Sequence, residues 1–207
     1  MCAAPALIGG ILGLQATTLG QNVRLDLSSN FGQEITIIDP GTGVTPVFTL
    51  HVDIESDSPL SGIQYRINSS DQGAFAHTST VVHGNVWPAI DYFTTGSEAA
   101  PGRTLTDNFT EIYFKFPEIN IPLEHFPGRV ASYNLTSTRS LFAGETFEFF
   151  LGDPIEQHNG LIWTIHGHPE FGGPAVAGMN VLLTVIPEPS TGALLMASLL
   201  IARRRRV

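Results

Sequence analysis

Apolar and polar residues alternate along several stretches of this chain, the period-two signature of strands with one buried and one wet face. Val23, Leu25 and Leu27 alternate with Arg24, Asp26 and Ser28. Phe48, Leu50, Val52 and Ile54 alternate with Thr49, His51, Asp53 and Glu55. Ile63, Tyr65 and Ile67 alternate with Gln64, Arg66 and Asn68, and Ile112, Phe114 and Phe116 with Glu111, Tyr113 and Lys115. Further strands are expected over 34–38, 146–151, 161–166 and 180–186. Between them stand turn signals: Asp39-Pro40-Gly41, Ser58-Pro59, Pro101-Gly102, Pro127-Gly128, Asp153-Pro154 and Gly172-Gly173-Pro174. The pattern predicts an all-β fold, an antiparallel β-sandwich or jelly roll with a closed barrel as the alternative. The segment 96–102 reads as the longest loop.

The 207 residues suffice for one domain with a real core. Charge is sparse, at 14 % of residues, and unevenly placed, because four of the ten basic residues are Arg203 to Arg206. Between Thr17 and Ile186 there are six basic and eighteen acidic residues, a balance of −12. Such a body repels phosphate backbones and excludes nucleic acid as a partner. The single cysteine, Cys2, forbids an intrachain disulfide.

Pro5 to Leu14 is a short apolar run ending in Leu14-Gln15-Ala16, which reads as a signal-peptide remnant over residues 1–16 or, alternatively, as a first apolar strand. The body then spans 17–186. At the other end stand Pro187, Glu188, Pro189, Ser190 and Thr191, an apolar segment 192–202, and Arg203, Arg204, Arg205, Arg206 and Val207. The prolines keep their neighbours extended, Ser190 and Thr191 can cap a following helix, and the arginines resist translocation. Eleven helical residues reach about 16 Å at 1.5 Å each, half of a ~30 Å hydrocarbon core.

This order of motif, short apolar helix and basic tail resembles the PEP-CTERM sorting signal over residues 187–207. The resemblance implies recognition of 187–191 by a membrane-embedded exosortase, transient inner-membrane anchoring with Arg203 to Arg206 as the stop, and association with exopolysaccharide. It implies nothing about the cargo.

Within the body, His51, Asp53 and Glu55 share a strand face and read either as a divalent-cation cluster or as an ordinary wet face. His166 and His168, with His158, Trp163 and Glu170 nearby, are the other metal candidates, since two histidines at i and i+2 on one strand can present two imidazoles to one ion. Their spacing from Gly160 partly resembles the first cupin motif; no second motif is present. Asn68, Asn108 and Asn134 stand in glycosylation-type triplets and read as ordinary residues. No nucleophile elbow, zinc-protease helix or phosphate-binding loop occurs. The expected function is therefore an exported envelope or matrix protein, sorted by an exosortase, without enzymatic role and without a resident cofactor. The alternatives are a carbohydrate-binding module that stacks sugars on Trp87, Tyr92 and Trp163, and a cupin-like metal enzyme using His166 and His168.

Overall fold

The alternating stretches fold as strands, because that spacing puts every second side chain into a shared core while the backbone bonds to its neighbours. In the computed structural model the described residues are 23–58, 60, 62–79, 82–86, 93–94, 104–105, 110–114, 126–152, 162–166 and 168–189. The strands are β1 (Val23–Ser29), β2 (Glu34–Asp39), β3 (Val47–Ser56), β4 (Gly62–Ser69), β5 (Phe75–His77), β6 (Val82–His83) and β7 (Phe93–Thr94). They continue with β8 (Thr110–Phe114), β9 (Gly128–Ser137), β10 (Thr146–Gly152), β11 (Ile162–His166), β12 (His168–Ala177) and β13 (Val181–Pro187). The single helical element among the described residues is a short 3-10 turn, Gln72–Ala74.

Two sheets face each other as a β-sandwich. In the first, β1 pairs β3, β3 pairs β9, and β5 and β6 lie along the far edge of β9. In the second, β2, β13, β10 and β4 follow one another, β11 takes the rest of that side of β4, and β8 and then β7 lie on its other side. β12 pairs β11 and then, at Val176 and Ala177, crosses to β1 and joins the two sheets.

The core is a meeting of inward rows. Leu25, Leu27, Leu50 and Val52 of the first sheet face Ile35, Ile67, Phe149 and Leu183 of the second, all essentially inaccessible to solvent. Phe48, Phe75, Phe147 and Phe149 pack with ring centroids between 4.8 and 5.8 Å apart, mostly edge to face, a geometry that adds to simple burial. His77 is buried beside Tyr133, ring centroids 5.7 Å apart, and its burial pushes its pKa down to about 4. The ring is therefore neutral at pH 7.

Three expectations need correction. The fold is not wholly antiparallel: β1–β12 and β2–β13 are parallel, since the first two strands each lie against one of the last two. Gly172-Gly173-Pro174 is not a turn but the middle of β12, paired with β11 shortly before the strand changes sheets at Val176 and Ala177. Gly128–Ser137 is a ten-residue strand, hidden in the sequence because a bulge at Val130 breaks its alternation and buries Val130 and Ala131 in succession. The apolar segment 192–202 expected as a helix, the signal remnant and the loop 96–102 lie outside the described residues.

Candidate functional site

The outer face of the first sheet carries the His51, Asp53 and Glu55 row, and its polar groups are largely spent on one another. Asp53 accepts bonds from Arg129 Nε at 2.9 Å and from Ser28 Oγ at 3.1 Å. His51 Nδ1 and Ser132 Oγ are hydrogen-bonded at 2.8 Å. Burial first, then the Arg129 charge, holds His51 below the usual histidine range, against the opposing pull of Asp53. Thr49 Oγ1 donates to Asn134 Oδ1 at 2.7 Å, and Asn134 Nδ2 donates to Ser79 Oγ at 2.9 Å. Cross-strand ladders of this kind stabilise a sheet. The wet-face reading fits, and Asp53 is already committed to a cation of the chain itself. The open depression between Asp53, Asn85, Pro127 and Arg129 is walled by the same ion pair.

The outer flank of the second sheet is built differently. β2, β13 and β10 lie side by side, and their register aligns outward residues into cross-strand rows. Glu34, Leu182 and Glu148 form the first row, Thr36, Thr184 and Thr146 the second, and Ile38 with Ile186 the third. Ile38 is 52 % exposed, Leu182 41 % and Ile186 38 %, although β-branched and leucine side chains usually hide such area. Glu188 follows in the same parity as Ile186, also exposed. No lysine or arginine occurs on the three strands. Arg139, close to the start of β10, is engaged by Glu145 at 2.8 Å and Asp71 at 3.5 Å. The flank carries exposed apolar residues on either side of a threonine row, with carboxylates at both ends and no cation of its own.

Asp39 fixes the far end of this flank. Its carboxylate accepts the N–H groups of Gly41 and Gly43, both at 2.8 Å, and of Ala143 at 3.0 Å, tying the 40–44 turn to the 141–145 turn. These bonds, that from Ala143 foremost, hold its pKa below the usual carboxylate range. Gly43 sits at φ +79° with the Phe142 ring packed over it, so a side chain there would be strained and would strike the ring.

Of the sorting-motif residues, Pro187 ends β13 as the register partner of Asp39, Glu188 N–H donates to Asp39 C=O at 2.9 Å, and Pro189 is exposed. Ser190, Thr191 and Arg203 to Arg206 lie outside the described residues. His166 and His168 are not two positions of one strand: His166 ends β11 and His168 opens β12, where they are cross-strand partners past a shift in register. The single-strand geometry expected of a cupin-like pair is therefore absent. Among the described residues no group of three or more His, Cys, Asp or Glu could hold a metal ion. Trp87, Tyr92 and His158 lie outside the described residues, and Trp163 is a β11 residue opposite Gln64 of β4.

No protein-family model and no curated protein matches the chain. Solved structures do. The third cohesin of ScaC in complex with the ScaB dockerin, from Acetivibrio cellulolyticus, is 14 % identical with a TM-score of 0.48, over 79 % of this chain and 99 % of that one. The cohesin CaCohA2 in its complex with CaDoc0917 is 16 % identical with a TM-score of 0.49, over 79 % and 99 %. A non-cellulosomal cohesin from the hyperthermophilic archaeon Archaeoglobus fulgidus is 10 % identical with a TM-score of 0.45, over 83 % and 96 %. The likeness is one of fold.

The expected function has no counterpart among these neighbours. They are cohesins, not exosortase-sorted matrix proteins, carbohydrate-binding modules or cupin enzymes. Among the described residues no helix is long and apolar enough to cross a membrane, and the apolar segment 192–202 lies outside them. The role of this chain has to be read from its own surface.

Proposed function

We propose that the body is a non-enzymatic protein-binding module of the cell exterior, and that it engages its partner through the flank formed by β2, β13 and β10. One observation carries this reading: Ile38, Leu182 and Ile186 are exposed on adjacent strands about a row of threonines, with Glu34 and Glu148 on either side of Leu182 and Glu188 beyond Ile186. Apolar side chains grouped within a polar rim are the ordinary anatomy of a protein interface. The opposite outer face supports the choice, because its polar groups are bonded within the sheet and offer a partner little to replace. Two of the cohesins among the structural neighbours were solved with dockerins, so sandwiches of this general shape occur in protein complexes.

Hydroxyl-radical footprinting tests the reading on the full chain, compared between the extracellular fraction of producing cells and the purified protein. Ile38, Leu182 and Ile186 are expected to be protected in the fraction, while Val47 and Val82, 66 % and 57 % exposed, are modified equally in both. Equal modification of all five residues contradicts the reading.

A further inference from the structure

The backbone of β2 carries a second signal, independent of the side chains. Leu182 N–H donates to Gln33 C=O and Glu188 N–H to Asp39 C=O, both at 2.9 Å, at the two ends of the parallel pair. Those bonds turn the odd-numbered groups of β2 toward β13. Backbone groups alternate sides along a strand, so the N–H and C=O of Glu34, Thr36 and Ile38 point away from it. Among the described residues no strand pairs with that edge. Natural edges are usually blunted by lysine, proline or a bulge. From Ile35 to Ile38, β2 has none of these.

We infer that this edge of β2 takes an extended segment of a partner protein as an added strand, in which apolar residues share a face with lysine or arginine. The inference rests on the binding role proposed above and specifies the edge used and the chemistry of the occupant. Strand addition supplies main-chain hydrogen bonds, while side chains at alternate positions supply selectivity. The side chains beside the added strand are Glu34, Thr36 and Ile38. A basic residue therefore suits the Glu34 end, where Glu148 reinforces the negative charge across Leu182, and an apolar residue suits the Ile38 end. A second copy of this chain fits poorly. Antiparallel pairing of two β2 strands about their middle brings Glu34 toward the Asp39 end of the other, the three strands of the flank carry no cation, and the body bears a balance of −12.

The test uses the full chain and three synthetic peptides. KTVTVTK carries the proposed face in either chain direction, ETVTVTE reverses its charge, and KTVPVTK breaks its strand. Fluorescence anisotropy is expected to give about tenfold or tighter binding of the first over each of the others. Amide exchange at Glu34, Thr36 and Ile38 should slow when KTVTVTK is added. Thr36→Pro removes only an outward N–H, so the fold should survive, as circular dichroism checks, while KTVTVTK binding falls about tenfold. Equal binding of the lysine and glutamate peptides overturns the charge assignment. Binding without exchange protection at those three amides, or unaffected by Thr36→Pro, overturns strand addition and leaves the flank reading to the footprint. Sedimentation showing a β2-dependent dimer that Thr36→Pro dissolves assigns the edge to a second copy and overturns the inference.

Discussion

The hydroxyls of Tyr65, on β4, and Tyr133, on β9, are hydrogen-bonded to each other in the core, joining the two sheets through a polar contact between side chains that are fully buried. Their rings stand nearly perpendicular, 6.5 Å apart. Tyr65→Phe is expected to cost about 1–2 kcal/mol, the usual worth of a buried hydrogen bond together with the loss to the remaining partner. Tyr133→Phe should cost a similar amount, and the double variant less than both singles together, because the second removal has no shared bond left to break. Urea unfolding of the four proteins measures the coupling; strict additivity would remove the bond from any role in stability.

The buried ring of His77 makes stability depend on mild acid. Its folded pKa of about 4 lies below the ordinary value of 6.5, so the unfolded chain binds more protons between the two. The neutral-ring contribution is therefore present above pH 6.5, declines as pH falls through that window, and is gone below about 4. At full strength it is on the order of 3 kcal/mol. The urea midpoint should fall from pH 7 to pH 4.5, and His77→Gln should flatten that slope. A midpoint with the same pH dependence in both proteins contradicts this.

Asp39 and Glu145 act in a lower window. Both carboxylates are held below their ordinary values, Asp39 chiefly by Ala143 N–H and Glu145 chiefly by Arg139. Each contributes stability that is present above its unfolded pKa, 3.8 and 4.5 respectively, and lost as pH falls through the folded value. Asp39→Asn should speed amide exchange at Gly41, Gly43 and Ala143 and weaken the pH dependence below 3.8. Unchanged exchange at all three amides would show that the carboxylate does not hold the two turns.

Binding and folding should be separable by position. Phe149 is fully buried against Phe48 and Phe75, and Phe149→Ala is expected to cost about 3–5 kcal/mol through lost burial and the cavity left behind. Leu182→Ser changes a residue that is 41 % exposed and should stay within about 0.5 kcal/mol of the parent. Thermal unfolding checks both. A Leu182→Ser variant that melts like Phe149→Ala would place Leu182 in the core and remove it from the flank.

Much of the fold is legible in the sequence where alternation is unbroken. Val23 to Ser28, Phe48 to Glu55 and Ile63 to Asn68 are strands whose apolar residues face inward as expected. β9 escapes notice because its bulge and its small residues Ala131 and Ser132 blur the period. β12 escapes because glycine and proline punctuate turns far more often than sheet-crossing strands. Parallel pairing of β2 with β13 is invisible locally, since it joins segments from opposite ends of the chain. The flank left a trace: 34–38 and 182–186 carry apolar residues at outward as well as inward positions, more than a half-exposed strand needs. Which outward residues would adjoin required the register.

Whether the flank of β2, β13 and β10 is the binding surface is tested most directly by photocrosslinking. A photoreactive residue is placed at Leu182, or at Ser132 on the opposite sheet, in the full chain made by its own cells. Leu182 is expected to form a discrete protein adduct that disappears when Ile38→Asp and Ile186→Asp are introduced, with Ser132 forming none. Adducts of equal yield from both positions, or an adduct at Leu182 that survives the two aspartates, would contradict the assignment of the partner to this flank.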